Sequence, residues 1–227
     1  MSAIPSPFVV TIDGPAGAGK STTARMLAEA LGFVFLDTGA IYRAVALLAQ
    51  RQGVVWDNGD LLGEVASRMD LQFQPGQAGG KVFADGVDVT AAIRAPEISQ
   101  GASKVSAFAP VREALLGLQR RVGASGRVVA EGRDTGTVVF PNAQAKFYLT
   151  ADARVRAERR AAELAAKGTP ASVDDTLKEI VERDARDSQR TVAPLKKAAD
   201  ALEVDTGSTD AAHVVARLVE VVRQRGG

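Results

Sequence analysis

Residues 14–21, with the sequence GPAGAGKS, limit the possible fold most strongly because they fit the pattern G-x-x-x-x-G-K-[ST]. The apolar run Phe8–Ile12 before them predicts a strand, and Ser21–Leu31 after them predicts a helix that ends at Gly32. In this context, glycines let backbone N–H groups curl round a polyphosphate, and the helix N-terminus adds a partial positive charge. The segment therefore predicts a phosphate loop that binds a nucleoside triphosphate.

Two side chains at the end of this loop carry chemistry, whereas a merely structural glycine-rich turn would need neither of them. Lys20 can reach the β- and γ-phosphate oxygens, and the hydroxyl of Ser21 can coordinate Mg²⁺. The residues predicted to bind the triphosphate are Gly14, Pro15, Ala16, Gly17, Ala18, Gly19, Lys20, Ser21 and Thr22.

The order of predicted elements indicates an α/β fold with a parallel sheet. A second strand at 33–36 and a second helix at 40–51 complete a βαβ pattern. Further strands are predicted at 126–130, 146–150 and 202–205, and a closing amphipathic helix at 213–222.

The middle of the chain has a different pattern. Residues 71–73, 81–83 and 87–89 alternate apolar with polar side chains around the pair Asp85-Gly86, which is typical of an antiparallel hairpin with a type I′-like turn. Parallel-sheet elements occur on both sides, so this part is predicted to be a small subdomain inserted at about 70–100.

Composition excludes several kinds of protein. With no cysteine and only one histidine, His213, the chain cannot use a disulfide framework, a thiolate metal site or a pair of histidines. The net charge of +1 argues against a nucleic-acid polymer as partner, and no apolar run approaches the roughly 20 residues that cross a bilayer. The N-terminus lacks a signal-peptide pattern, so we expect a cytoplasmic protein without membrane contact, by default a monomer.

The 28 basic residues are 20 arginines and 8 lysines, which two explanations fit equally well. A GC-rich genome would enrich arginine by codon bias, and anion binding would favour it because a guanidinium can clamp phosphate with two hydrogen bonds. Arg43, in the second helix, and Arg133, in the turn after a core strand, occupy positions that favour anion binding.

Two classes of triphosphate-binding protein compete at this point. A GTP-dependent switch should carry an Asn-Lys-x-Asp motif, but the only asparagines, Asn58 and Asn142, precede Gly and Ala. A motor ATPase should carry two acidic residues at the end of its Walker B strand, whereas Glu131, at the end of the strand that would correspond, is followed by glycine. A phosphotransferase with cations around a second substrate is therefore favoured, and a switch or motor is the less favoured alternative.

Five motifs give the chain a resemblance that extends over most of its length. They are IDGPAGAGKST, LDTGAIYR, SKVSAFAPVREAL, EGRDTGTVVFP and RDARDSQRTVAPL, in that order between residues 11 and 200. Together they resemble the bacterial cytidylate kinase family, which belongs to the nucleoside monophosphate kinases. The resemblance implies a three-layer α/β/α P-loop fold with a core at about 1–65, 104–150 and 188–227, an inserted monophosphate-binding subdomain at 66–103, and a helical lid at 151–187.

The same resemblance implies ATP-dependent phosphorylation of CMP and dCMP with Mg²⁺ as cofactor. It assigns the cytosine base to Asp134, Arg112 and Ser103, and the ribose to Asp187 and Arg183. It assigns the phosphate of CMP to Arg43, Arg133 and Arg190. The full set of residues implied to bind CMP is Thr38, Tyr42, Arg43, Ser103, Arg112, Arg133, Asp134, Arg183, Asp187 and Arg190. Two structural alternatives stay open, because Arg112 could be a surface charge and Arg183 with Asp187 could be an ordinary i,i+4 pair.

The resemblance also assigns catalytic and metal roles. Lys20, Arg133, Arg190 and Arg159 are the implied catalytic residues, and no general base is needed because the phosphate of CMP is already a dianion. Ser21 is expected to bind Mg²⁺, with Asp13 and Glu131 as candidates that act through water. The lid would carry Arg154, Arg156, Arg159 and Arg160, although a solvated pair of helices rich in ion pairs would explain these arginines as well.

Overall fold

A computed structural model describes residues 7–74, 80–124, 126–166 and 168–227, which form two sheets and the helices that flank them. The strands, in chain order, are β1 (Phe8–Asp13), β2 (Val34–Asp37), β3 (Leu71–Gln74), β4 (Lys81–Ala84), β5 (Val87–Asp88), β6 (Arg127–Gly132), β7 (Ala145–Thr150) and β8 (Leu202–Asp205). The α-helices are α1 (Lys20–Leu31), α2 (Thr38–Arg51), α3 (Gly59–Arg68), α4 (Pro96–Val105), α5 (Ala109–Ala124), α6 (Ala153–Ala166), α7 (Val173–Gln189) and α8 (Ala211–Gln224).

The larger sheet has the order β2–β6–β1–β7–β8, and all its strands are parallel, as the βαβ pattern predicts. β1 lies at its centre, between β6 and β7. Asp13, the last residue of β1, lies opposite Gly132 on one side and Tyr148 on the other. The carboxyl ends of the three central strands therefore meet, which is where open α/β sheets bind ligands.

Helices cover both faces of this sheet, which confirms the three-layer α/β/α prediction. On one face, α1 and α8 pack against the strands through Leu27 and Leu218, both fully buried. On the other face, α2 to α5 share a second core that includes Ile41, Leu115 and Val128. Strands buried on both faces explain the nearly continuous apolar sequences of β1 and β6.

The predicted antiparallel hairpin is confirmed, within a small sheet of order β3–β4–β5. Asp85 and Gly86 have φ angles of 50° and 78°, and a type I′ turn requires positive φ at both central residues. Leu71 and Val82 of this sheet belong to the core beneath α2–α5, so the insertion shares that core rather than forming its own. Residues 75–79 lie outside the described part.

The two helices predicted as the lid are present and pack against each other as α6 and α7. Lys167, between these two helices, lies outside the described residues, as do residues 1–6 at the N-terminus. The division of the chain into core, acceptor subdomain and lid stays a prediction. Among the described residues, no helix combines the length and apolar character that a membrane crossing demands.

Candidate active site

The phosphate loop lies between β1 and α1, in the structural context that its sequence predicts. Gly17 and Gly19 have φ angles of 76° and 77°, in the region that glycine adopts at no steric cost. A Cβ atom on Gly14 would lie 2.1 Å from the carbonyl oxygen of Leu149 on β7, so only glycine fits at the start of the loop. The loop thus has the backbone shape that the motif requires at a helix N-terminus.

Lys20 is buried at the first position of α1, and its Nζ donates a hydrogen bond of 2.6 Å to the carbonyl oxygen of Pro15. Burial, and after it the positive charge of Arg133, lowers the pKa of Lys20 to about 7. An anionic phosphate beside the ammonium group would favour its charged form. Binding of a triphosphate is therefore coupled to protonation of this lysine.

Ser21 lies opposite the last residues of β6, where its Oγ donates to Oε1 of Glu131 over 2.6 Å. Burial, and after it the charge of Asp37, raises the pKa of Glu131. Hydroxyl and carboxylate oxygens are suitable ligands for Mg²⁺, which usually keeps several waters and takes phosphate oxygens as well. Among the described residues, no group of three or more acidic or histidine side chains could hold a metal ion without such help. Ser21 and Glu131 therefore fit a magnesium ion that arrives with the nucleotide.

Asp13 has a different environment from Glu131. Its Oδ1 accepts from the backbone N and the hydroxyl of Thr135 at 2.9 and 2.8 Å, and its Oδ2 accepts from the N of Gly136 at 2.7 Å. These bonds hold the first residues of a π-helix at Thr135–Val139. Because both carboxylate oxygens are already engaged, the structure favours a structural role for Asp13, and its predicted metal role is left without support.

A cavity beside the loop brings together all ten residues that the sequence resemblance assigns to CMP. Five elements contribute: α2, α4, α5, the turn after β6, and the end of α7. The lining residues are Thr38, Gly39, Tyr42, Arg43, Ala102, Ser103, Ser106, Arg112, Gly132, Arg133, Asp134, Arg183, Asp187 and Arg190. Their contacts with a ligand stay a prediction, but their assembly in one place is a structural fact.

The arginines of this cavity are held by carboxylates of the protein itself. Arg43 donates from Nη2 to Oδ2 of Asp37 at 2.6 Å, and the Nε of Arg133 donates to Oδ2 of Asp187 at 2.9 Å. Arg112 pairs closely with Asp134. Each guanidinium is thus oriented before any ligand arrives.

A second set of pairs completes the network. Arg190 lies 3.4 Å from Oδ1 of Asp134, and Arg183 lies 3.9 Å from Oδ2 of Asp187. Five guanidinium groups therefore face three carboxylates, those of Asp37, Asp134 and Asp187, so that five minus three leaves two positive charges. This excess matches the charge of a phosphate monoester dianion.

The pKa shifts follow from this crowding of cations. Burial, and after it the charge of Arg133, lowers the pKa of Arg183 to about 10, which still leaves it charged at neutral pH. Burial alone would raise the pKa of Asp187, but Arg133 and Arg183 outweigh that effect and lower it. The carboxylate therefore stays ionised, and the positive field of the cavity persists over the neutral pH range.

The part of the cavity around Arg112 and Tyr42 is suited to a planar polar group. The guanidinium carbon of Arg112 lies 5.3 Å from the ring centroid of Tyr42, and Nη1 of Arg112 donates to the carbonyl oxygen of Ser106 at 3.0 Å. Ser103 and Asp134 are buried beside them. Since Arg112 is itself only 7% exposed, the alternative that it is a surface charge is wrong.

The four predicted lid arginines all have partners within the protein. Arg154 pairs with Asp174, Arg156 with Asp184, and Arg160 with Glu163. Arg159 donates from Nη2 to the carbonyl oxygen of Thr206 at 2.5 Å. The solvated ion-pair alternative thus describes Arg154 and Arg160, whereas the side chain of Arg156 is only 8% exposed and also bonds to the phosphate loop. The catalytic role of Arg159 stays a prediction.

Sequence reasoning did not identify several residues that support the site. Asp37 holds Arg43, Asp184 contacts the phosphate loop, and the hydroxyl of Ser103 accepts from Nη1 of Arg186 at 2.9 Å. Asp37 precedes a predicted helix and accepts from the N of Ala40, so the N-cap preference for Asp could have indicated it. The partners of Asp184 and Arg186 are distant in sequence, and no local signal reveals them.

Comparison with known proteins gives a consistent result. The family model for cytidylate kinase matches residues 10–224. A cytidylate kinase of Syntrophotalea carbinolica is 48% identical over 218 residues, which are 96% of this chain and 93% of that protein. A cytidylate kinase of Shewanella sediminis is 52% identical over 200 residues, 87% of each chain.

Solved structures show likeness of the fold alone. An uncharacterized protein from Eubacterium ventriosum aligns with a TM-score of 0.52 and 12% sequence identity, over 95% of this chain and 98% of that one.

Proposed function

Because this chain belongs to the cytidylate kinase family, we propose that it transfers the γ-phosphoryl group of ATP to CMP and dCMP, which forms ADP and CDP or dCDP. The observation that carries this proposal is the cavity beside the phosphate loop, with two positive charges in excess and all ten expected residues on its walls. The relatives that cover nearly the whole chain are named cytidylate kinases, and the cavity has the chemistry that such an acceptor needs.

We assign the acceptor phosphate to Arg43, Arg133 and Arg190. These side chains line the cavity, and Arg133 is close enough to Lys20 to lower the pKa of that lysine. The phosphate oxygen of CMP attacks the γ-phosphorus of ATP, a new P–O bond forms, and the bond to the β–γ bridging oxygen breaks to release ADP. The cations offset the negative charge of the transferring group, and the acceptor needs no general base because it is already deprotonated.

We propose that Mg²⁺ accompanies ATP and is held by Ser21 directly and by Glu131 through water. Magnesium, when bound, neutralises charge on the β- and γ-phosphates. The 2.6 Å bond between Ser21 Oγ and Glu131 Oε1 supports this assignment, because it places two oxygen ligands at the start of α1, beside the loop.

We propose that Asp134 reads the 4-amino group of cytosine, and that Arg112 and Ser103 read the ring acceptors. Asp134 is 5% exposed and lines the cavity together with Arg112 and Ser103. Uracil carries a carbonyl group where cytosine carries its amine, so that UMP would place one acceptor against another. A buried polar group left without a partner is costly, which gives discrimination in favour of CMP.

One chain supplies both the loop and the cavity, and we propose that it works as a monomer. We further propose that it acts in the cytoplasm in pyrimidine nucleotide metabolism. A nucleotide-dependent switch or motor, the alternative from another class, needs no cavity of this composition beside its phosphate loop, so no observation favours it.

The test is an assay of ADP formation across a panel of acceptors: CMP, dCMP, UMP, AMP, GMP and shikimate. CMP and dCMP are expected to support rapid turnover, and AMP, GMP and shikimate much slower turnover or none. Equal or faster turnover with a purine nucleotide or shikimate would contradict the proposed acceptor. ATP hydrolysis without any dependence on an acceptor would favour the switch or motor instead.

A further inference from the structure

One residue of the phosphate loop, Ala16, has both its backbone N–H and its carbonyl oxygen bound by a largely buried ion pair. The N–H of Ala16 donates to Oδ1 of Asp184 at 3.2 Å, and its carbonyl oxygen accepts from Nη1 of Arg156 at 2.9 Å. The same Nη1 lies 2.5 Å from Oδ2 of Asp184, so the backbone of Ala16 and the two side chains form a closed ring of hydrogen bonds. Arg156 comes from α6 and Asp184 from α7.

The backbone of α6 touches the same side of the loop. A Cβ atom on Gly17 would lie 3.0 Å from both the Cβ and the carbonyl oxygen of Arg156. The side chains of Arg156 and Asp184 are 8% and 20% exposed, so this contact is shielded from water. By contrast, Arg154 and Asp174, which join the same two helices elsewhere, are 58% and 75% exposed.

α7 connects this contact to the acceptor cavity over less than one helical turn. Asp184 directly follows Arg183 and precedes Asp187 by three residues, a spacing that puts Asp184 and Asp187 on neighbouring positions of one helix face. Asp187 holds Arg133 at 2.9 Å, and Arg183 lines the cavity. If an acceptor displaced α7, Ala16 would therefore move with it. If a triphosphate displaced the loop, α7 and the side chains it holds at the cavity would move in turn.

We propose that Arg156 and Asp184 are positioning residues that couple the phosphate loop to the acceptor cavity, so that binding of either nucleotide strengthens binding of the other. The inference rests on the proposed function, because it takes ATP and CMP as the two ligands. Because α7 is bonded both to the loop and to Arg133, a shift of this helix that the first nucleotide requires has already taken place when the second one binds, and the second binds more tightly. The contact also holds one end of the lid in place, because Arg156 on α6 and Asp184 on α7 both bond to Ala16 of the loop.

The test measures the dissociation constant of CMP by calorimetry, alone and with saturating Mg²⁺ and β,γ-methylene-ATP, which cannot transfer its phosphoryl group. The ratio of the two constants is the coupling factor, and we expect about 5 to 20 for the unchanged protein. Asp184→Asn keeps the size of the side chain but removes its charge, and it should lower the factor to below about 2 while CMP alone binds within about twofold of the unchanged protein.

Asp174→Asn is the matched control, because it removes the charge of the exposed ion pair between the same helices. It should keep the coupling factor of the unchanged protein. A merely structural role for Asp184 would instead lower the midpoint of thermal unfolding and leave the factor unaltered. Should Asp184→Asn fail to fold, Arg156→Lys applies the same criterion, because lysine keeps the charge but cannot contact Ala16 and Asp184 with one planar group.

Three results would overturn the inference: a factor near one in the unchanged protein, an undiminished factor in Asp184→Asn, or an equal loss in Asp174→Asn. None of them affects the proposed function as long as the unchanged protein converts CMP to CDP. Failure of that conversion in the acceptor panel would overturn the proposed function itself.

Discussion

The donor loop and the acceptor cavity lie side by side but are built in opposite ways. The loop is one continuous segment, residues 14–21, in which glycines and a helix N-terminus supply the backbone shape. The cavity is assembled from side chains on five separate elements, and its cations are paired with carboxylates of the protein. The comparison shows that the loop is ready for an anion as it folds, whereas CMP must replace or join ion pairs that already exist.

The largest effect should come from the one cation of the loop, through Lys20→Met. We expect turnover to fall by about 10²- to 10³-fold or more, because the side chain offsets charge at the transferring phosphoryl group. The midpoint of thermal unfolding should stay or rise, since a buried ammonium with a lowered pKa is costly to the fold. Steady-state kinetics and calorimetric melting measure both quantities.

Lys178→Met is the control for this variant, because Lys178 is 76% exposed on α7. It should leave turnover unaltered. Turnover that survives in Lys20→Met would refute the idea that the loop depends on a single cation.

In the cavity, Asp134→Ala should have the next largest effect, because Asp134 pairs with two arginines and faces the expected base. We expect kcat/KM for CMP to fall about 10²-fold and that for UMP to fall much less, since only cytosine offers an amino group to the carboxylate. Asp88→Asn, in an exposed ion pair with Lys81, serves as the control. Equal losses for CMP and UMP would show that Asp134 holds arginines without reading the base.

Arg43→Lys tests whether the cavity needs guanidinium geometry or only positive charge. Arg43 is bound to Asp37 at 2.6 Å, and lysine cannot offer the planar pair of donors that suits a phosphate. We expect KM for CMP to rise about 10-fold with a smaller change in KM for ATP. Arg68→Lys, in the exposed pair with Glu64, is the matched control, and an unaltered KM in Arg43→Lys would mean that charge alone suffices.

The smallest effect concerns protons at the loop. With a pKa of about 7 before ligand binding, Lys20 is mostly neutral at pH 8, so that binding ATP should take up about 0.9 of a proton there. The sign follows because phosphate raises the pKa of a neighbouring amine, and the affinity for ATP should therefore weaken as pH rises above 7. Calorimetric titrations in two buffers of different ionisation enthalpy measure the uptake.

Lys20→Met should abolish this uptake, and Lys178→Met should retain it. Uptake of the same size in Lys20→Met would assign the proton to another group of the site.

The contrast between loop and cavity also explains how much could be predicted from the sequence. The loop and the Asp85-Gly86 turn depend on residues adjacent in the chain, and the parallel sheet follows from the local alternation of strands and helices, so all three were predicted. Of the cavity residues, only Arg43 and Arg133 were indicated by their positions in the sequence. The others were identified through resemblance to a family, because composition and spacing do not show which arginines meet in space. The contact of Asp184 with Ala16 joins positions 168 residues apart, and no pattern in the sequence indicates it.

α4 and the π-helix Thr135–Val139 are among the elements that were not predicted, and both have local reasons. α4 contains Gly101 and serines that lower helix propensity, although Ile98, Ala102 and Val105 give it an apolar face. The π-helix TGTVV is rich in β-branched residues, which favour strands, and it is held by the carboxylate of Asp13 from another element. In both cases tertiary contacts outweigh the local preference.

The bonds of Asp13 also bear on how such a protein could acquire a new acceptor. Asp13 directly precedes the donor loop, and its carboxylate fixes Thr135 and Gly136, which directly follow Asp134 of the acceptor cavity. The span between the donor loop and the turn after β6 is therefore set by the sheet and by the bonds of Asp13, and it is the same for every acceptor that the cavity could take. Ser103 on α4 and Arg112 on α5 take no part in these bonds, so substitutions there would alter their side of the cavity and leave that span as it is.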